Sequence, residues 1–460
     1  MSTFSGINTA RRALSAAQLG METTGQNIAN VNTDGYSRQR VDQSASILNQ
    51  TGQFSQKNIP GDGVVVNGIT RINDALATAT ARQDSAAAKE QATASTVWSG
   101  VENALGDTGA SGLSQNLADL SSAWNDLASK SGTDGLASAQ SLVITRSQTV
   151  VEQLGGMDDQ LQDQYDQLGL QAQTQVSQAN TIATNIAKLN TSIRETLGTG
   201  ASANELMDQR DQFLNQLSDL TGSRVVNRDN GTVDVFVGNA TIVTGDFSYE
   251  LEVNATDSTG AAVSKADIGN QLVASIGGQT AGPVAGSLKA TLDGANKTLV
   301  AQKANLDTFA DTLATKVNAA YGGQFFKNAD TSATAGAAIP ASQLAVGVNT
   351  TTFRDSTATT GAGSADRVYA KAVSSTFADV KSNWRTNVTN LAASTQSASN
   401  RADLASQVSL KSGAVRDGVS GVNLDEEMTN LVAYQHAYSA AAKVLTTMDE
   451  ALDALLNMVR

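Results

Sequence analysis

The sequence predicts a mainly α protein with three nested parts: a terminal α-helical coiled-coil layer, an elongated helical-bundle body and a small inserted β domain. Three observations carry the prediction. Apolar and small residues recur at alternating three- and four-residue spacing at both ends of the chain, Ala-, Gln- and Leu-rich helical periodicity fills most of the interior, and one short stretch is β-branched and alternating. Only 4% of the 460 residues are aromatic, so the core must be built from Ala, Val, Leu and Ile, which suits thin bundles better than a thick globule.

At the amino end the seam runs through Ile7, Ala10, Leu14, Ala17, Met21, Thr24, Ile28 and Val31. At the carboxyl end it runs through Leu424, Met428, Leu431, Tyr438, Ala442, Leu445, Leu452, Leu456 and Val459, with Gln435 and Asp449 as polar interruptions. Residues 1–42 carry Arg11, Arg12, Arg38 and Arg40 against Glu22, Asp34 and Asp42, a net of +1. Residues 424–460 carry Lys443 and Arg460 against Asp425, Glu426, Glu427, Asp449, Glu450 and Asp453, a net of -4. Two apolar-seamed helices of opposite charge are expected to pair, which brings the chain ends together and loops out the middle.

Inside that pair, residues 71–104, 113–129, 135–197 and 203–220 read as helices, the third with breaks expected at Gly155-Gly156 and Gly169. From Arg224 to Val253 the texture changes to strands, with turn signals at Asn230-Gly231 and Gly238-Asn239 and a closing strand near Leu272–Ile276 before Gly277-Gly278. Helix returns from Ser287 to Tyr321, residues 322–364 read as loop with marginal structure, and a further helical block covers 365–415. The expected division is 1–70 with 420–460 as the terminal assembly layer, 71–221 with 287–419 as the body, and 222–286 as the outer β insertion.

Composition removes several classes of function. With no cysteine there are no disulfides, thiolate metal sites or cysteine nucleophiles, and a single histidine, His436, leaves little for metal clusters or imidazole catalysis. No cofactor, metal or catalytic residue is therefore expected. His436 reads as a half-buried neighbour of the seam, and Trp98, Trp124 and Trp384 as core anchors. A formal charge of -13 opposes a nucleic-acid partner, and no apolar run is long enough for a membrane span or a signal peptide, which predicts export without a cleaved leader. The paired carboxylates Asp158-Asp159 and Glu426-Glu427 are expected on solvated helix faces, where adjacent side chains diverge and make no acid/base couple. An enzyme, such as a carboxylate-driven peptidoglycan hydrolase, has little to work with.

The stretch Gly25-Gln26-Asn27-Ile28-Ala29-Asn30-Val31-Asn32-Thr33-Asp34-Gly35-Tyr36-Ser37-Arg38-Gln39 resembles the amino-terminal signature of flagellar rod, hook and hook-associated proteins. A helix ends near Asn30, Asp34-Gly35 turns the chain, and Tyr36 anchors the segment beyond the turn. Asn204–Ser218 and the closing segments beginning Ser420-Gly421-Val422-Asn423-Leu424-Asp425-Glu426-Glu427, with Ala442–Leu445 and Leu455-Leu456-Asn457, resemble the hook-associated members of that family.

The resemblance implies a structural subunit that joins hook to filament, stacks as a ring in a helical tube on hook protein below, and receives the next hook-associated junction protein above. It also implies export by the flagellar type III apparatus with a chaperone on the carboxyl-terminal helix. The assembly residues it points to are Ile7, Leu14, Ala17, Met21, Ile28, Asn30, Val31, Gly35 and Tyr36, and, for assembly and chaperone alike, Leu424, Met428, Leu431, Tyr438, Leu445, Leu452 and Leu456. A distal rod or hook protein of the same family and a surface-exposed adhesin displayed on the β insertion are the alternatives. Each ordered residue costs about 1–2 kcal/mol of backbone entropy, while a partly buried seam residue contributes about 1–2 kcal/mol. Residues 1–40 and 420–460 are therefore expected to be largely disordered in the free subunit and to fold on incorporation.

Overall fold

The computed structural model describes residues 3–46, 63–107, 112–130, 135–257, 259–263, 267–334, 336–353 and 365–458; Val459 and parts of the 322–364 stretch lie outside these. Helix α1 (Thr3–Ala29) packs against α9 (Leu424–Met458). The register is antiparallel. Gly6 lies against Met448, Gly20 against Tyr434 and Asn27 against Glu427, so steps of 14 and 7 residues on one helix match equal steps on the other, as a heptad repeat requires.

The packed face keeps Ala10, Ala17, Thr24, Leu431, Leu445 and Leu452 of the sequence seam and departs from it elsewhere. On α1 the buried centre is small: Ala10, Ala16, Ala17, Gly20, Thr23, Thr24 and Asn27, whereas Ile7, Leu14, Met21 and Ile28 sit half-buried at its edge. On α9 the face turned to α1 carries Glu427, Leu431, Tyr434, Ala441, Leu445, Met448 and Leu452, all buried or half-buried. Leu424, Met428, Tyr438 and Leu456, expected in that seam, are exposed. Close approach explains the shift: a Cβ on Gly20 would stand 2.6 Å from the Tyr434 ring, so glycine makes room for a side chain that a conventional seam position would exclude.

The body is built around α4 (Leu136–Gly198), one unbroken helix of 63 residues, about 95 Å long at 1.5 Å per residue. The breaks expected at Gly155-Gly156 and Gly169 do not occur; Leu154, Met157, Leu161, Tyr165, Leu168 and Ala172 keep one buried stripe running through them. Helices α2 (Ala75–Leu105), α3 (Leu113–Ser129), α5 (Asn204–Thr221), α6 (Gly286–Asp293) and α7 (Val300–Tyr321) pack on α4 and on each other, with a π-helical turn (Gly294–Leu299) joining α6 to α7. Helix α8 (Ala365–Ser420) lies along α2, α3 and α7. Trp124 stacks edge-on against Phe325 at 5.0 Å and against Tyr321 at 6.2 Å, while Trp384 packs on Phe309; Trp98 is partly buried against the same core.

Within 322–364, the described residues 322–334 and 336–353 are more ordered than their composition suggests. Strands β10 (Phe326–Asn328) and β11 (Leu344–Val346) form an antiparallel ribbon, and Phe325, Phe326 and Phe353 are buried on the Trp124 cluster. A hairpin of β1 (Gln39–Ala45) and β2 (Val64–Arg71) follows α1. The inserted strands form two antiparallel sheets, β3 (Arg224–Asn227), β4 (Val233–Val237), β5 (Ala240–Thr244) and β6 (Phe247–Ser248) in one, β7 (Leu251–Thr256), β8 (Gln271–Ile276) and β9 (Gln279–Thr280) in the other. Val233, Val235, Ile242, Leu251, Leu272 and Ile276 share one hydrophobic cluster with α4.

Docking strands on helices leaves backbone groups without ladder partners, and buried groups of that kind must be satisfied. Asparagine side chains do this in a repeated way. Asn180 accepts from Leu251 N at 2.8 Å and donates to Leu251 O at 2.8 Å; Asn296 holds Leu272, and Asn318 holds Phe326, through the same two bonds. Asn190 holds Val233 likewise, also donates to Gly245 O, and accepts from buried Arg210 at 3.0 Å. Burial, which outweighs the attraction of Asp211, lowers the Arg210 pKa to about 10. Each amide thus acts as a one-residue strand edge. Asn190→Ala would orphan several of these groups, each worth about 1–3 kcal/mol. Urea denaturation is expected to show a loss of about 3 kcal/mol or more, against near-neutral behaviour for exposed Thr181→Ala on the same helix.

Candidate functional site: the joint between chain ends and body

Where α1 stops, the turn 30–37 delivers the chain to β1 and lands on the start of α9. Gly35 holds φ at +76°, and a Cβ there would run into the Gln212 side chain, which itself donates to Asp34 O. Tyr36 Oη then donates to Asn27 Oδ1 at 2.8 Å. Burial first, and then the carboxylates of Asp208, Glu205 and Glu427, push the Tyr36 phenol up to about 12. It stays protonated and can only donate to that acceptor.

Asn27, 1% exposed, is the hub. Its Oδ1 also accepts from Gln39 N at 3.0 Å, and its Nδ2 donates to Gln39 O at 2.8 Å and to Glu427 Oε2 at 3.0 Å. Glu427, 2% exposed, accepts on its other oxygen from Arg38 Nε at 2.7 Å, while Arg38 Nη1 reaches Glu426 at 2.7 Å. Backbone bonds finish the corner: Arg38 N donates to Ser420 O, and Ile72 N to Arg38 O, each at 2.8 Å. The hairpin, the end of α8 and the start of α9 are thereby one unit.

A second group of contacts ties this corner to α5. Gln39 Nε2 donates to Glu205 at 3.1 Å and its Oε1 accepts from Asn204 at 3.2 Å; Asn204 also donates to Ile69 O. Ser37 N donates to Asp208 Oδ2 at 3.2 Å, and Arg71 pairs with Asp208 at 3.1 Å and Asp211 at 2.6 Å. Burial raises the Asp208 pKa against the pull of Arg71 and the Ser37 hydrogen bonds. Two clefts flank the turn, one of about 660 Å³ toward Arg416, Asp417 and Asn215, the other of about 580 Å³ toward Glu205 and Gln209. The carboxylates of Glu426, Glu427, Glu205, Asp208 and Asp211 are each engaged by a guanidinium or an amide, which is the chemistry of a clamp. Among the described residues no group of three or more His, Cys, Asp and Glu could hold a metal, and no helix is long and apolar enough to cross a membrane.

The model of the flagellar hook-associated protein FlgK helical domain matches residues 98–334, more than half of the chain. The chain belongs to the flagellar hook-associated protein family. The ends match more widely shared models: residues 7–36 that of the flagella basal body rod protein, residues 413–458 that of the flagellar basal body rod FlgEFG protein carboxyl-terminal region. It is a structural component of the bacterial flagellum. Flagellar hook-associated protein 1 of Bacillus subtilis is 29% identical over 99% of this chain and 98% of its own length. The protein of the same name from Salmonella typhimurium is 32% identical over 53% of this chain, and the match spans only 43% of that longer relative. A flagellar hook junction protein FlgK from Burkholderia pseudomallei aligns with a TM-score of 0.44 at 23% identity, over 55% of this chain and 46% of that one.

The three matched segments of this hook-associated protein meet at the joint: Asn27 and Tyr36 come from the first, Asp208 from the second, Glu427 from the third. Of the residues expected in assembly, Tyr36 and Gly35 build the joint directly. Asn30 caps its own helix by donating to Gln26 O, and Val31 lies half-buried in the turn. Asn27, Asn204, Asp208 and Arg71 were not singled out by sequence, and Arg38 and Glu427 entered only as charges, Glu427 as half of a pair expected on a solvated face, although all but Arg71 fall in the signature segments. Amide and charge inside an apolar periodicity were the available signal.

Two expectations are corrected. Glu427 is not on a solvated face, and Asp158 is buried and paired with Lys303, while Asp159 remains exposed. His436 is exposed, because α9 turns Tyr434 rather than His436 toward α1.

Removing one partner of a buried ion pair leaves the other uncompensated, typically about 3–5 kcal/mol. Glu427→Ala is therefore expected to accelerate amide exchange at Gln39 and Arg38 by that order, whereas Tyr36→Phe, which deletes one hydrogen bond, costs about 1 kcal/mol.

Proposed function

We propose that this chain joins the flagellar hook to the filament, polymerising through its paired terminal helices. The observation that carries the reading is the near end-to-end likeness to a hook-associated protein 1, combined with a terminal helix pair whose outer face is apolar and unfilled. Leu424, Met428, Tyr438 and Leu456 are exposed on α9, and Ile7, Leu14, Met21 and Ile28 line the edge of α1; buried against neighbouring subunits, each contributes about 1–2 kcal/mol. Residues 1–70 with 420–460 serve as the assembly layer, 71–221 with 287–419 as the body, and 222–286 as outer decoration. Hook protein lies below and the next hook-associated protein above. The subunit leaves the cell through the type III apparatus without a cleaved signal, its acidic, apolar α9 held by an export chaperone.

Deletion in the flagellated host is expected to leave hooks without filaments and to shed filament subunits into the medium. Loss of the hook itself moves the protein to the rod or hook, and normal flagella overturn the reading. In the free subunit the joint is expected to protect its amides, while Thr3–Gln26 and Met428–Met458, which pack on each other and, on the α1 side, on the β1–β2 hairpin, exchange fast and become slow on incorporation. Slow exchange along both helices before assembly would contradict coupled ordering.

A further inference from the structure

The chain holds two Asn-Gly steps, Asn67-Gly68 in β2 and Asn230-Gly231 in the turn from β3 to β4, and both asparagines are exposed. Where glycine follows asparagine, no side chain hinders the glycine nitrogen as it closes on the asparagine Cγ to form a succinimide. The two steps sit in opposite surroundings. At Asn230 the side-chain Oδ1 accepts from Thr232 N at 3.1 Å and from Thr232 Oγ1 at 2.7 Å. Two donors on a carbonyl oxygen stabilise the negative charge that builds there when a nucleophile adds, and these two also wrap the side chain around the Gly231 nitrogen. The amide nitrogen that must leave is untied, since Asn230 Nδ2 makes no hydrogen bond among the described residues. Buried Arg210 donates to Gly231 O at 2.6 Å, which sets a positive charge beside the peptide whose nitrogen must lose its proton. One contact opposes attack: Gly231 N donates to Arg228 O at 3.1 Å and has to leave it first. At the other step, Asn67 Nδ2 donates to Asp42 Oδ2 at 3.2 Å, so the leaving nitrogen is held and a carboxylate disfavours an anion at Gly68 N. Asn67 Oδ1 meets a single hydroxyl, that of Ser44 at 3.3 Å, and Gly68 lies in the strand ladder opposite Asp42.

We propose that Asn230 is a self-modification site, at which the folded turn converts its own asparagine to aspartate and isoaspartate. The Gly231 nitrogen attacks Asn230 Cγ; the N–Cγ bond forms, the Cγ–Nδ2 bond breaks, and ammonia leaves with the proton that Gly231 N gives up. Solvent water then opens the succinimide at either carbonyl, so the reaction consumes one water, releases one ammonia and changes no oxidation state. Opening toward isoaspartate threads the side-chain carbon into the main chain and moves Gly231 O away from Arg210, whose Nη1 keeps only Asn190 Oδ1 at 3.0 Å. The hold of α4 and α5 on the β3–β4 turn is thereby loosened, and subunits age at this turn first. Glycine is fixed at the step by the fold itself: φ is +82°, and a Cβ at Gly231 would run into Leu197. The proposal stands independently of the hook–filament reading.

The full-length protein, held folded at mildly alkaline pH and sampled over days, is digested and mapped by mass spectrometry, with the second Asn-Gly step as internal control. Asn230 is expected to convert about tenfold or more faster than Asn67 in the folded protein, and the two rates are expected to converge in urea. Thr232→Val, which keeps the backbone donor and deletes the hydroxyl, is expected to slow Asn230 by about tenfold. Asp42→Asn, which removes the carboxylate beside Asn67, is expected to speed Asn67 and leave Asn230 unchanged. Equal rates in the folded protein, or a faster Asn67, overturn the proposal, as does a folded Thr232→Val protein in which Asn230 reacts as before. If Thr232→Val does not fold, the ratio in the unsubstituted protein and the response to Asp42→Asn decide the matter: an Asn67 rate that Asp42→Asn leaves unchanged removes the electrostatic contrast and counts against it.

Discussion

Everything in this molecule returns to a buried carboxylate. Glu427 is held between the amide of Asn27 and the guanidinium of Arg38, across 400 residues of chain. Closing an unstructured loop of that length costs about 5 kcal/mol, more than one ion pair returns. The joint can therefore close only on a body that is already folded, and its ties to α5 through Asp208, Glu205 and Asn204 show how the body presents it. Nesting is the consequence: with the two ends fixed at one point, every intervening element must leave from that corner and come back to it.

A chain with few large side chains meets its packing needs by close approach and by amide pairing. The α1 side of the α1–α9 interface is centred on Gly, Ala and Thr, so the larger α9 side chains approach its backbone and a Tyr ring fits over Gly20. On the body, four asparagines supply the edge hydrogen bonds that strands lose where they meet a helix. Both devices demand geometry rather than bulk, and both leave outer surfaces free. Among the exposed apolar residues, those on α8 and α9 form rows, which is what a subunit made to be completed by its neighbours should display.

Much of this was legible in the sequence. Periodicity identified the helices to within a few residues, the pairing of the ends, and the place of the inserted strands but not the β1–β2 hairpin, because those patterns record one-sided burial. It failed at Gly155-Gly156 and Gly169, where a buried stripe on both sides outweighs the cost of glycine in a helix. The 322–364 stretch read as loop because three phenylalanines scattered among Gly, Ala and Thr carry no period, yet they fill one hole beside Trp124. At the joint, the signature segments contained Asn27, Arg38 and Glu427, but a charged residue on a helix reads as solvated until its partner is known, and here the partner is at the far end of the chain. The one-residue rotation of the α9 face has the same origin: the heptad rule favours Met428, whereas Glu427 is drawn inward by Arg38 and Asn27.

The central claim is that the two chain ends form one antiparallel helix pair in fixed register, set by the joint. Spin labels at Gln18→Cys and His436→Cys, which that register places opposite each other on exposed positions, test it directly in assembled flagella diluted with unlabelled subunits. The account predicts a narrow distribution at the short separation of adjacent packed helices, whose axes lie about 8–10 Å apart, and a broad one when Glu427→Ala is added. A long distance, or one that Glu427→Ala leaves unchanged, would contradict it.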